Sequence, residues 1–178
     1  MPSTKLTHKE THMAHETLHP FDPLGVMTPQ PYEHPYMFYI ASGWFNQQQA
    51  KDLEDIKHIL DGFEIKYFSP KDEVICPPNA NYKQRNSVFL GNIHAIDDSK
   101  YVIVNTRDKD MGTIFEAGYA YAKNKKIIYV AFGLQGQFNL MLAQSGVCVC
   151  TTHAQLMYAV QKCHDGQDPR TQYEGEIE

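Results

Sequence analysis

The sequence predicts an α/β fold: one doubly wound domain of the flavodoxin-like or Rossmann-like kind, with a five-stranded parallel sheet and helices on both faces. Three observations lead there. Strand-like apolar runs alternate with helix-like stretches five times from residue 36 onward, which is the pattern of strand–helix–strand units. The run "YVIVNT" (101–106) is apolar almost throughout, as expected of a strand covered on both faces. A length of 178 residues suits one substantial core rather than two. The alternation is read from the residues. The strand order 2-1-3-4-5 is the common one for such sheets and stands as an expectation.

The elements follow in order. "MFYIA" (37–41) reads as a buried strand. "WFNQQQAKDLEDIKHIL" (44–60) reads as an amphipathic helix with Phe45, Leu53, Ile56 and Leu60 on one side. "FEIKYF" (63–68) is the second strand, closed by Ser69-Pro70, and a loop rich in Pro and Asn leads to a helix over 82–99. "YVIVNT" is the third strand, and the helix of "DMGTIFEAGYAYA" (110–122) follows it. "KIIYVAF" (126–132) is the fourth strand, "NLMLAQSG" (139–146) a short helix, "VCVCT" (147–151) the last strand and "HAQLMYAVQKC" (153–163) the last helix.

Residues 1–35 stand apart, rich in Thr, His and Pro and without apolar periodicity. They read as a tail, flexible or draped over the body, with the domain running from 36 to 178. The tail holds "HETLH" (15–19), which fits the His-Glu-x-x-His zinc pattern, and His8, His12, His15 and His19 recur at helical spacing. A catalytic zinc needs both histidines on a stable helix in a cleft. Pro20 follows His19 directly and disfavours helix there, so a solvated tail is the better reading.

Composition narrows the function. Sixteen basic against 21 acidic residues, net −5 with no basic stripe, give no electrostatic support for a nucleic acid polymer as partner. No apolar run reaches membrane-spanning length and the N-terminus lacks an apolar signal core. The four cysteines (Cys76, Cys148, Cys150 and Cys163) form no CxxC pair. Free, largely buried thiols and a reducing cytoplasm are therefore expected.

In open parallel sheets, ligands bind beyond the carboxyl ends of the strands where the strand order reverses. For the order 2-1-3-4-5 that crevice lies between the first and third strands, and the loops entering it are "SGWF" (42–45) and "TRDKDMG" (106–112). Glu116 lies one turn into the helix that leaves the second of these, among Phe115, Ala117 and other apolar residues. Gly112 and Thr113 would form the tight start of that helix, presenting free N–H groups. The helix terminus favours an ionised Glu116, while apolar neighbours oppose it by desolvation. Such a carboxylate can act as a nucleophile or base. It can equally be a cap, in a Thr-x-x-Glu box with Thr113. Asp110, six residues earlier, supplies a second carboxylate, and two carboxylates flanking one bond are the usual apparatus for glycosidic cleavage. Asp108 reads as solvated.

Three separated segments resemble those of the nucleoside 2-deoxyribosyltransferases: "YIASGWF" (39–45), "DMGTIFEAGYAYA" and "NLM" (139–141), with "YEG" (173–175) similar to the family's C-terminal tail. The resemblance implies exchange of nucleobases on 2-deoxyribose with retained configuration, with deoxyribonucleosides and free bases as partners and no metal or organic cofactor. It implies that Glu116 attacks the anomeric carbon, that Asp110 protonates the departing base and that Tyr39 orients Glu116. Gly43 belongs to the opening turn, Trp44 and Phe45 would wall the base pocket, and Gly112 opens the nucleophile's helix. Asn139 would hold the sugar's 5′-hydroxyl and Met141 pack beside it, both in a neighbour's site within a dimer-based homo-oligomer, up to a hexamer. Asn92 stands where many members carry an aspartate, so proton transfer would fall on Asp110. Glu73, or Asp72 beside it, matches the base-reading position. Each residue also has a plainer reading: Tyr39 and Met141 as packing, Asn139 as a helix N-cap, Trp44 and Phe45 as staples of the first helix. Two rival functions share the fold. One is a hydrolase of deoxynucleoside 5′-monophosphates, with Arg85 or Arg107 as phosphate contacts. The other is a nucleotide sensor without turnover.

Overall fold

The computed structural model describes residues 34–178, so the expectations for the tail and its histidines lie outside the described residues. The sheet has five parallel strands in the order β2-β1-β3-β4-β5, the order expected. In chain sequence the elements are β1 (Tyr36–Ala41), α1 (Gln47–Gly62), β2 (Tyr67–Phe68), α2 (Pro70–Glu73), α3 (Tyr82–Asp97), β3 (Ser99–Asn105), α4 (Met111–Ala122), β4 (Lys126–Val130), α5 (Leu140–Ser145), β5 (Cys148–Cys150) and α6 (His153–His164). A single 3-10 turn, Arg107–Lys109, lies between β3 and α4. No helix among the described residues is long and apolar enough to cross a membrane.

Side chains alternate across each strand, and this divides the core in two. Phe38 and Ile40 of β1, Tyr101 and Ile103 of β3, and Ile128 and Val130 of β4 pack with Leu53, Ile56 and Leu60 of α1 and with Leu156 and Val160 of α6. The residues between them, including Tyr39, Ala41, Val102, Val104, Ile127 and Tyr129, pack with Ile96 of α3 and with Ala117 and Ala120 of α4. Cys148, Cys150 and Cys163 are buried free thiols and Cys76 is an exposed one.

The helices begin where short polar side chains can accept the free N–H groups of the first turn. Asn46 takes those of Gln48 and Gln49, so α1 starts three residues later than the periodicity suggests. Phe45 consequently precedes the helix and is 71% exposed, not on its buried side. Asn81 with Gln84, and Thr152 with Gln155, form reciprocal capping boxes on α3 and α6. The second strand is shorter than "FEIKYF": α1 runs through Gly62, Phe63 caps it, and Glu64 has a left-handed φ of 55°. Only Tyr67 and Phe68 remain to pair with β1. The proline-rich loop contains one helical turn, α2, with Pro70 at its first position, where a missing N–H does no harm.

Candidate active site

At the β1–β3 junction the two strands are in register from Tyr36↔Ser99 to Ala41↔Val104. Tyr39 points to the α3–α4 side, fully buried and stacked on Phe68 with ring centroids 5.7 Å apart. From there its hydroxyl donates to Glu116 Oε1 at 2.6 Å. The two residues are 77 positions apart in the chain, so the bond exists only because β1 lies beside β3 and α4 returns across them. Burial pushes the Glu116 carboxyl from 4.5 up to about 7; the Tyr39 hydrogen bond pulls it back and the charge of Asp110 adds to the rise. Desolvation therefore outweighs the hydrogen bond from Tyr39. The same burial, with Glu116 alongside, drives the Tyr39 phenol far above its usual range, so Tyr39 remains a donor.

Asp110 is the N-cap of α4, with Oδ2 accepting from Thr113 N at 2.8 Å. That corrects the local alternative for Glu116: Thr113 is buried inside the first turn and Asp110 does the capping, so no Thr-x-x-Glu box forms. Gly112 sits next to this carboxylate, and a Cβ there would lie 3.3 Å from Asp110 Oδ2. Glycine spares the capping oxygen that close contact.

The two loops entering the crevice are tied together. Gln49, buried on α1, accepts from Phe45 N at 3.0 Å and donates to Arg107 O at 3.4 Å. Gly43 makes room for it, since a Cβ at that position would come within 3.0 Å of the Gln49 side chain. Asn105 Nδ2 donates to Ser42 Oγ at 3.1 Å and Asn46 Nδ2 to Asp108 Oδ2 at 2.8 Å. Asp108 is exposed, as expected, and bonded besides. Asp52, 2% exposed, receives Arg107 Nε at 2.7 Å and Nη2 at 3.2 Å. No local pattern in the sequence marks the ties that cross from one loop to the other. Gln49 and Arg107 are 58 residues apart, Asn46 and Asp108 are 62, and Asp52 and Arg107 are 55.

The other expected residues divide. Trp44 packs, partly buried, against the α1–α6 core, with Phe45 tilted over it at 5.2 Å. Asp72 is paired with Lys57 at 3.0 Å, while Glu73 is exposed at the end of α2. Asn92 is half-buried on α3, and its Oδ1 is buried without a hydrogen-bond partner. Asn139 is the N-cap of α5, with Oδ1 accepting from Leu142 N at 3.2 Å. Met141 is 74% exposed. The C-terminal tail runs beside this segment: Phe138 N donates to Glu176 O and Glu178 N donates to Phe138 O, with Tyr173 packed on the Phe138 ring.

The sequence profile of the nucleoside 2-deoxyribosyltransferases matches residues 38–152, a span that holds Tyr39, Asp110, Glu116 and Asn139. The chain belongs to this family. No curated protein sequence matches it. Two solved structures share the deoxyribosyltransferase fold seen here. One is a 2-deoxyribosyltransferase from Bacillus psychrosaccharolyticus, 22% identical, with a TM-score of 0.60 over 67% of this chain and 89% of that one. The other is a conserved protein from Enterococcus faecalis V583, 16% identical, with a TM-score of 0.57 over 70% of this chain and 96% of that one. Membership marks the chain as a transferase of the kind that acts on nucleosides.

Proposed function

We propose that the protein exchanges nucleobases on 2-deoxyribose by double displacement at Glu116. The observation that carries this reading is the 2.6 Å bond from a buried Tyr39 hydroxyl to Glu116 Oε1. It aims one carboxylate oxygen and leaves the other for the anomeric carbon. In the first step Glu116 bonds to C1′ and the C1′–N bond breaks, with its electron pair leaving on the base, which Asp110 protonates. In the second, another base attacks C1′ from the vacated side, Asp110 takes its proton, and the glutamyl ester is released. Two inversions retain configuration. Asn92 Oδ1, buried and unpaired, is suited to accept from a donor on the base edge, since a buried acceptor without a partner is costly. Glu73, free of the ion pair that occupies Asp72, is the carboxylate of the two left for the base.

Incubation with deoxyinosine and free adenine tests the reaction. Formation of deoxyadenosine is expected. Hypoxanthine release with no deoxyadenosine would replace the reading with hydrolysis, and binding without turnover would replace it with sensing. The monophosphate hydrolase has weaker support on the side of Arg107, whose Nε and Nη2 are taken by Asp52 and by Phe132 O at 2.8 Å, and it rests on Arg85, exposed on α3.

The working unit in this reading is a dimer in which Asn139 and Met141 complete the other copy's site. Asn139 uses Oδ1 for its own helix and keeps its amide N–H groups for a hydroxyl. Met111 (82% exposed), Met141 and the contacting pair Phe89 and Phe115 leave apolar surface around the site, the kind of surface a second copy covers. Glu116→Ala and Asn139→Ala should each be inactive alone. After subunit exchange the mixture should regain about a quarter of wild-type sites, because each mixed dimer rebuilds one of two. No recovery, or full activity of a monomer at high dilution, would remove the neighbour from the site.

A further inference from the structure

We propose that Arg107, gripped by buried Asp52, is a positioning residue for Asp110, and this rests on the role given to Asp110 above. The loop from β3 to α4 is short and held in an unfavourable shape. Asp108 and Lys109 take consecutive left-handed φ values of 59° and 52°; aspartate visits this region as a single residue, but a lysine following it there is held by its surroundings. The imposing contacts are visible. Arg107 Nε and Nη2 bind the two oxygens of Asp52, and Nη2 also donates to Phe132 O in the turn that follows β4. One planar guanidinium thus fastens the start of the loop to α1 on one side and to the turn after β4 on the other. Asn46 holds Asp108 and Gln49 holds the Arg107 carbonyl, but both come from the α1 side alone. Asp110 is the next residue after the left-handed pair, and its carboxylate closes over Thr113 N. Whatever fixes the loop therefore fixes where that carboxylate points relative to Glu116.

The pairing is suited to this use. A bidentate Arg–carboxylate contact sets orientation as well as distance, which a lysine ammonium does not. Asp52 is 2% exposed and Arg107 27%, so water reaches the contact only from the arginine side. Burial of an ion pair often gives little net stability but can specify one arrangement among several. Here the arrangement specified is that of the loop bearing the acid.

Two conservative variants and a cycle test this. Arg107→Lys keeps the charge and Asp52→Asn keeps the shape. Each should lower kcat for deoxyinosine by about 30- to 100-fold with KM nearly unchanged, the size of a sub-ångström to ångström misplacement. For 7-methyl-2′-deoxyguanosine, whose base carries its positive charge already and leaves without a proton, the loss should be within a few-fold. In an Asp110→Asn background either change should cost almost nothing more, since residues acting through one group are not additive. Equal losses for both donors, or losses that multiply with Asp110→Asn, would overturn the proposal and make the pair a structural contact only. Base release within the first turnover is the readout for every rate here, so the acceptor half, in which Asp110 also acts, does not enter. A wild-type protein that releases base from neither donor would instead refute the proposed function.

Discussion

Glu116→Gln should abolish base exchange and at the same time make the protein more stable above neutral pH. The amide cannot form a glycosyl ester, so kcat should fall by at least ~10⁴-fold, as when a covalent nucleophile is removed elsewhere. The gain in stability comes from the same burial that shapes the site. Glu116 titrates at 4.5 in the unfolded chain and at about 7 in the folded one. Between those values the folded protein holds a proton that the unfolded chain has released, so stability falls as pH rises through the window and levels off above it. The full penalty is about 3 kcal/mol at pH 8, because each pH unit between the unfolded and folded values costs about 1.36 kcal/mol. Glutamine avoids it and still accepts from the Tyr39 hydroxyl. Wild type and variant should melt together below about pH 4.5 and separate by roughly 6–12 °C at pH 8. Equal melting temperatures at pH 8 would mean that water reaches the carboxylate. Turnover at wild-type rate would remove Glu116 from the reaction. A slow deoxyribosyl donor should leave a pentose on the wild-type peptide containing Glu116, and none on the variant.

The parts of this picture legible in the sequence are those set by local pattern. Continuous apolar runs mark the inner strands, and the spacing of Leu53, Ile56 and Leu60 marks the core face of α1. Caps are harder, because several short polar residues precede each helix and only one captures the free N–H groups. Asn46 wins for α1, which moves Phe45 off the helix, and Asp110 wins for α4, which leaves Thr113 inside the first turn. Phe63–Lys66 has the composition of a strand, yet α1 extends through Gly62 and the turn at Glu64 uses up the residues that would pair. The site shows the same division. Asp110 and Glu116 are six residues apart, which marks them as a candidate pair, but that they could act on one place follows only from Asp110 capping the helix that carries Glu116. The Tyr39–Glu116 bond is implied only by resemblance, since nothing local marks a tyrosine in an apolar strand as a donor to a carboxylate 77 residues on. The Asp52–Arg107 pair leaves no sequence signal at all: Asp52 sits in a helix rich in charges, "KDLEDIK", and only the packing of α1 buries it.

Asp110→Asn should separate proton transfer from everything else the residue does. Asparagine is as good an N-cap as aspartate, so the bond to Thr113 N and the start of α4 should persist. What disappears is the proton donor and the negative charge. Loss of the donor should lower first-turnover base release from deoxyinosine by ~10²- to 10⁴-fold, the usual range for a general acid, and leave first-turnover release from 7-methyl-2′-deoxyguanosine nearly unaffected. Loss of the charge acts on a different observable. The acidic limb of kcat/KM reports ionisation in the free enzyme, and for Glu116 it lies at about 7, held up in part by Asp110. With the methylated donor, where protonation no longer limits the rate, that limb should move to lower pH in Asp110→Asn. Tyr39→Phe should move it to higher pH, because the phenol hydrogen bond favours the ionised carboxylate. Opposite shifts from two neighbours of one group are hard to produce by general loosening of the site, which would admit water and pull both variants downward. Shifts in the same direction would therefore argue that the limb belongs to some other residue, even if both variants were slow. The acceptor half of the reaction gives the matching sign, since the Asp110 that protonates a leaving base must take a proton from the incoming one. A variant defective only with donors that need protonation should then also discriminate among acceptors, favouring those already deprotonated at the assay pH.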